Sequence, residues 1–278
     1  MSYNVQSFDI ILNIPKSNLL ISSLDMEFKV IKTAKSNADY AEIVIWNLDE
    51  DSYKQLIQDN QPVYIYTKLG DKEAKLIFTG YSDTNHITRK RITVTKTNNE
   101  AAPPDIVTSV ELIESRISYD NCFINENYRE EVSAEQIIND CISAMGIGSV
   151  IINTEIPEKM YSTFKAKGKP HCILYEICDS LGLDITIQNG IVNIGIPGAD
   201  ENEESIPEFN LLNSLEPEFQ NNNEALLITE LQTDIYPNKL VKCNFEKLSG
   251  IFPVIEVILE GNNFDRAGNT NIIIGLEK

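Results

Sequence analysis

Apolar residues recur along this chain with two different periods, and the change between them divides it into three stretches. In the first hundred residues the period is two, the spacing of half-buried strands. SFDIILNI and LDMEFKVIKTA are such runs, separated by the turn-like cluster PKSN. In AEIVIWNL, Ala41, Ile43 and Ile45 share one face while Val44 and Trp46 occupy the other, which predicts a strand covered on both sides. A short helix follows. Asn47 or Asp49 can accept its free amides, Glu50 and Asp51 suit its dipole, and Tyr53, Leu56 and Ile57 form its apolar face. PVYIYTKL, KLIFTGYSDTNHI and RKRITVTKT predict three more strands, and a small barrel plugged or flanked by one helix fits the pattern. The polar, proline-bearing stretch TNNEAAPPD, residues 97–105, is the clearest boundary, and IVTSVELIESRISYD resumes as a strand.

From about 131 to 198 the period lengthens to that of a helix. Ser133 and Gln136 form a capping box, Ile137, Ile138, Cys141, Ile142 and Met145 share a face, and Gly146 terminates. A second helix starts at Pro170, with Ile173, Leu174, Ile177, Cys178 and Leu181 at helical spacing and Gly182 at its end. DITIQNGIVNIGI then predicts a hairpin about Asn189-Gly190. A two-residue loop there pairs Ile187 with Val192, Ile185 with Ile194, and Leu183 with Ile196, so turn chemistry and pattern give one register. Residues 197–223 are acidic, Asn-rich and proline-spaced, and read as a long exposed connection. The remainder returns to strands in ALLITELQTDI, KLVKCNFEKL, FPVIEVILEG and TNIIIGL. The expected class is α+β, mainly β.

Charge narrows the function. The 278 residues carry 23 basic and 42 acidic side chains, a net of −19, so counterion release cannot drive specific nucleic-acid binding. No apolar run approaches the ~18 residues of a membrane span, so stable membrane insertion is not expected. The N-terminus reads as a first strand and not as a signal peptide. Five cysteines spread over the chain form no disulfide framework and suit a reducing compartment.

Catalytic groupings are scarce. His171 adjoins Cys172, but neighbours on a helix do not face one another, and Cys172 and Cys178 fall on different faces. No metal, cofactor or catalytic site is expected. MGIGSVII lacks the strand–turn–helix setting of a phosphate loop. KAKGKPH, residues 165–171, is a basic island ahead of a helix N-terminus, either a solvated loop or a receptor for an anion or an acidic partner surface. ITRKRITVTK, residues 87–96, places Arg89 and Arg91 on one strand face and Lys90 and Ile92 on the other, either as a charged edge guard or as a cationic assembly rim.

Taken in order, FKVIKTAKSNADYAEIVIWNL, the short helix, PVYIYTKLG, KLIFTGYSDTNH with its Phe78-Thr79-Gly80 step, and RKRITVTKT resemble the N-terminal barrel of contractile-tail baseplate hub proteins. The capped helix, the Asn-Gly hairpin and the closing PVIEVILEGNNFDRAGNTNIII are similar to later parts of that family, although Gly261-Asn262-Asn263 stands where a Gly-Asp step is common. The resemblance implies two similar small β-barrel domains plus an inserted α/β domain with an Asn-Gly hairpin. The first barrel would span 1–101, the second would be discontinuous over 102–132 and 199–278, and 133–198 would be the insert. It further implies a homotrimer adapting a hexameric tail tube protein to a trimeric central spike protein, beside other baseplate subunits. The site would be the virion tail baseplate, assembled in the bacterial host cytoplasm, with an acidic lumen through which DNA slides. Arg89, Lys90 and Arg91, with Asn262, Asn263, Asp265 and Arg266, are the expected assembly contacts. A tail-associated cell-wall hydrolase is the alternative, and a carbohydrate-binding β-module a more distant one.

Overall fold

The computed structural model describes residues 8–34, 39–58, 61–92, 105–114, 122–152, 154–188, 190–195 and 206–276. The N-terminal part holds β1 (Phe8–Ile14), β2 (Leu19–Ile21), β3 (Met26–Thr33), β4 (Tyr40–Trp46), helix α1 (Glu50–Leu56), β5 (Gln61–Leu69), β6 (Lys75–Ile92) and β7 (Asp105–Ile113). The middle holds β8 (Ile124–Tyr128), β9 (Val132–Ser133), α2 (Ala134–Met145), β10 (Ser149–Ile152), β11 (Met160–Tyr161), β12 (Phe164–Gly168), α3 (Pro170–Ser180), β13 (Asp184–Gln188) and β14 (Ile191–Gly195). The C-terminal part holds β15 (Glu208–Phe209), β16 (Glu218–Phe219), β17 (Glu224–Glu230), β18 (Leu240–Asn244), β19 (Ser249–Asn262) and β20 (Ala267–Gly275). The class is α+β, mainly β.

Alternation does what the sequence patterning requires. The inward residues of β1, Phe8, Ile10, Leu12 and Ile14, are buried, and so are Ala41, Ile43 and Ile45 of β4. Val44 and Trp46, on the opposite face, are half-buried. At the end of β4, Asn47 takes the left-handed conformation (φ 57°) and ties down β7: its Oδ1 accepts the Ile106 N–H at 3.0 Å. The cap of α1 falls to Asp49, whose carboxylate accepts the N–H groups of Asp51 and Ser52.

Thirteen strands form one sheet, in the order β16-β17-β20-β19-β3-β4-β7-β6-β5-β1-β2, with β18 also on β19 and β15 on β18. The N- and C-terminal parts therefore join edge to edge. The 14-residue β19 makes the join: its first half pairs with β18, and after a register shift between Val254 and Glu256 its second half pairs with β3. One hydrophobic core runs continuously beneath both parts, from Phe8 to Ile274.

Three expectations are corrected here. The described part of the strand expected at 106–117 in the second barrel is β7, and it pairs with β4 and β6 of the N-terminal part. The reason is matched burial: Leu112 opposes Ala41, Val110 opposes Ile43, and all four side chains face the core. Residues 124–132 also leave that barrel, because β8 pairs with β12 and Ile124 and Val132 enter the core of the middle part. The segment 102–132 thus contributes no ladder to β15–β20 among the described residues. Third, the expected exposed connection is built structure from Ile206 on, with Ile206 and Phe209 buried and β15 parallel to β18. Most of the expected boundary at 97–105 lies outside the described residues. The two strands expected over 75–97 are one β6 as far as Ile92, with 93–97 outside the described residues, and the register of β6 with β7 shifts between Ser82 and Ile87.

The middle part has its own core, made by the apolar faces of α2 and α3 against β13 and β14. Ser133 Oγ accepts the Gln136 N–H at 3.1 Å and Gly146 closes α2 at φ 69°. The hairpin register is the one read from the sequence, Ile185 opposite Ile194 and Ile187 opposite Val192. The third pair, Leu183 with Ile196, involves a residue outside those described.

Candidate assembly surfaces

The two expected contact segments, far apart in sequence, come to one end of the sheet. Following the ladders, Asn262 opposes Glu27, Met26 opposes Ile45, Trp46 opposes Val107, and Val107 opposes Lys90. Four inter-strand steps of ~4.8 Å separate the hairpin tip from the basic strand. Trp46 lies between them, and Phe264 at the tip packs edge-on against its indole with ring centroids 5.4 Å apart.

Their side chains divide into inward and outward sets. Arg89 is held within the chain: its guanidinium donates to the Glu50 carboxylate and to Leu48 O, and stacks 4.4 Å above the Tyr53 ring. It fastens α1 to β6, the planar two-sided use that arginine serves better than lysine. Lys90 and Arg91 are exposed. At the hairpin, Asn263 Oδ1 accepts the Met26 N–H at 2.8 Å and its Nδ2 donates to Leu24 O at 2.8 Å. Asn262 Oδ1 accepts the Asp265 N–H at 2.7 Å and shapes the turn. Asp265 and Arg266 remain exposed, with Arg266 left-handed at φ 55°. The surfaces free for a partner are therefore Lys90 and Arg91 on one side and Phe264, Asp265 and Arg266 on the other.

Sequence reasoning missed a buried polar group at the seam with the middle part. Lys32 (β3), Asp39 (before β4) and Glu114 (after β7) are 5%, 3% and 1% exposed. Asp39 Oδ1 accepts the Thr33 N–H at 2.9 Å, and Glu114 Oε1 accepts the Gly190 N–H at 3.2 Å. Asp39 Oδ2 and Glu114 Oε2 have no N–H donor. Burial and the proximity of two like charges both favour the protonated form of such carboxyls. Desolvation accordingly pushes the Asp39 carboxyl up to about 6, and desolvation with the neighbouring Asp39 charge raises Glu114 well above the carboxylate range. Burial lowers Lys32 against the opposing pull of Glu114 and Asp39. The only sequence signal was polar residues at inward positions beside strand ends.

One chemical expectation is corrected. His171 and Cys172 do meet, with Cys172 Sγ 3.2 Å from His171 Nε2. Both residues lie in the first turn of α3. Cys172 is exposed and Cys178 buried, as opposite helix faces require. His86 lies at the irregular step in β6, its Nδ1 2.9 Å from Glu111 Oε2.

No family model matches the chain, and no curated protein matches it in sequence. Solved structures do match. A 43 kDa tail protein of prophage MuSo2 from Shewanella oneidensis is 13% identical, with TM-score 0.67 over 96% of this chain and 97% of that one. A tail protein from Neisseria meningitidis is 9% identical, with TM-score 0.67 over 97% and 96%. An E. coli type VI secretion component, reported as similar in structure to the bacteriophage T4 tail proteins gp27 and gp5, is 10% identical, with TM-score 0.61 over 95% and 76%. Over nearly its whole length, this chain has the fold of prophage tail proteins and of a type VI secretion component.

Proposed function

We propose that the chain is a structural, non-enzymatic component of a contractile tail or related injection machine, and specifically its baseplate hub. In this reading β1–β7 form one small barrel, β15–β20 a second, and residues 122–195 the inserted α/β unit. Three copies close into a ring of six similar barrels, matching a hexameric tail tube on one face and a trimeric central spike on the other. The observation that carries the reading is the fold match over nearly the full length of two tail proteins. The edge-to-edge join of two β-rich parts through β19 and β3 is compatible with it.

The charge supports a transport role. A ring of chains carrying −19 each gives an acidic lumen that repels a passing polyanion, so DNA slides without sticking. Lys90, Arg91, Phe264, Asp265 and Arg266 present one cationic and aromatic end of the sheet to tube, spike or other baseplate subunits. The protein is assembled in the bacterial host cytoplasm and resides in the virion tail.

The test is the solution mass of the purified chain, alone and mixed with a candidate spike protein. A trimer, or trimerisation on adding the spike, is the expected result. A monomer that ignores the spike overturns the hub. Lysis in a cell-wall zymogram would instead favour a tail-associated hydrolase.

A further inference from the structure

Two surface features take no part in the contacts above. The first is the turn Asn210–Leu215 with the short β16 after it. Asn210 O accepts the N–H groups of Asn213 and Ser214 at 3.1 and 3.0 Å, and Asn210 Oδ1 accepts that of Leu212 at 2.9 Å. Thr229 Oγ1 donates to Asn213 O at 2.6 Å, and the Leu215 N–H donates to Ile228 O at 2.8 Å. A backbone fixed this firmly nevertheless holds Leu211, Leu212, Leu215 and Phe219 at 71%, 96%, 62% and 51% exposure. β16 is also an end strand of the thirteen-stranded sheet. The surrounding segment 206–224 carries four glutamates and no lysine or arginine. Glu208 and Glu216 take Lys242 and Lys247, while Glu218 has no ion pair among the described residues.

The second feature is the two-stranded ribbon of β8 and β12. Ala166 points inward and is buried, so Lys165 and Lys167 stand on the outer face, opposite Asn127 and Asn125. Both lysines are exposed and unpaired among the described residues. Phe123, just before β8, is 61% exposed. Residues 159–171 carry four lysines and no acid, a local reversal of the chain's overall sign.

We propose that these two surfaces bind each other between neighbouring copies of this chain: the leucine turn and β16 of one protomer seat on Phe123 and the lysine ribbon of the next. The inference rests on the self-assembling reading above and names the contact. Charge complementarity argues for a second copy. Chains of net −19 repel at a distance, so a homotypic contact needs a patch of opposite sign, which the ribbon supplies to the glutamates flanking the leucines. The aromatic ring gives the leucines an apolar seat, and the hydrogen-bonded turn meets it with little ordering cost. Turn and ribbon belong to parts with separate cores. The contact is thus head-to-tail, the kind that closes into a ring when its rotation permits.

Sedimentation velocity on the full chain tests this, with thermal melts confirming that each variant folds; all substituted side chains are exposed. Leu211→Ser with Leu212→Ser, Lys165→Glu with Lys167→Glu, and Glu216→Lys with Glu218→Lys should each weaken self-association at least tenfold. Combining both charge reversals in one chain should restore it to within a few-fold of wild type. Wild-type-like assembly of all three variants would overturn the contact while leaving the hub reading intact. So would variants that still self-associate but lose the spike, because the surfaces would then serve another subunit. A wild-type chain that never self-associates, with or without spike, removes both.

Discussion

Glu114 Oε1 accepts the backbone N–H of Gly190 at 3.2 Å, and this bond fastens the tip of the β13–β14 hairpin to the end of β7. It joins the middle part to the main sheet through a carboxyl that is 1% exposed and beside a second carboxyl, Asp39.

The stability of this seam should depend on pH with a definite sign. Asp39 rises from 3.8 to about 6 on folding, and burial raises Glu114 as well, so the folded chain holds protons that the unfolded chain releases. Their contribution is complete below the unfolded values and is lost as pH rises through the folded ones. Lys32, lowered by burial, acts in the opposite sense. Glu114→Gln keeps the acceptor for Gly190 and removes one of the two buried carboxyls. It should raise stability at pH 8 by roughly 1–2 kcal/mol and leave it unchanged near pH 4. Urea midpoints at the two pH values read the difference; an equal change at both would refute proton uptake at this seam on folding.

Arg89 should matter for stability more than for assembly. Arg89→Ala removes the Glu50 pair, the bond to Leu48 O and the Tyr53 stack together, at a cost of about 1–3 kcal/mol. Arg89→Lys should recover less than half, because an ammonium cannot serve carboxylate, carbonyl and ring at once. Lys90→Ala, on an exposed side chain of the same strand, should fall within ~0.5 kcal/mol of wild type. Chemical denaturation of the three variants distinguishes them.

Asn263 and Asn262 should differ despite being neighbours. Asn263→Ala loses bonds to both Met26 N–H and Leu24 O, and should cost roughly 1–2 kcal/mol. Asn262→Ala loses only the bond within the turn and should cost less. The Trp46 fluorescence spectrum gives a local readout, because freeing the hairpin withdraws Phe264 from the indole.

Gly80 should resist enlargement. A Cβ there would lie 2.5 Å from Phe78 Cε1 and 3.1 Å from Leu112 Cβ, since the Phe78 ring lies across the glycine on the same strand face. Gly80→Ala should cost about 1–3 kcal/mol through displaced core packing. A melting temperature equal to wild type would mean that the ring has room to move.

Thiol labelling should rank the cysteines by burial. Cys141, Cys178 and Cys243 are buried, and desolvation pushes each thiol up to about 12. Cys172, exposed, should react first with a neutral disulfide reagent at pH 8, the half-buried Cys122 more slowly, and the other three only on unfolding. Peptide mapping after timed labelling identifies the order.

The sequence by itself determined what is local. Alternation in Phe8–Ile14 and Tyr40–Trp46, the cap at Ser133, the terminator at Gly146 and the register about Gly190 all follow from neighbours within a few residues. Each is set by backbone preference and a single buried face. Asp49 as the cap of α1 was one of two local options, decided once Asn47 was engaged by β7.

Only the tertiary structure decided which strand met which. Residues 105–113 alternate equally well for either β-rich part; they lie between β4 and β6 because Val110 and Leu112 complete a layer with Ile43 and Ala41. The same holds for the functional surfaces. Nothing in the spacing of Arg89 from Glu50, or of Asn263 from Met26, marks these side chains as spent within the chain. Hydrogen-bond partners that far apart in sequence are chosen by the sheet order, and the sheet order minimises exposed apolar area over the whole chain at once.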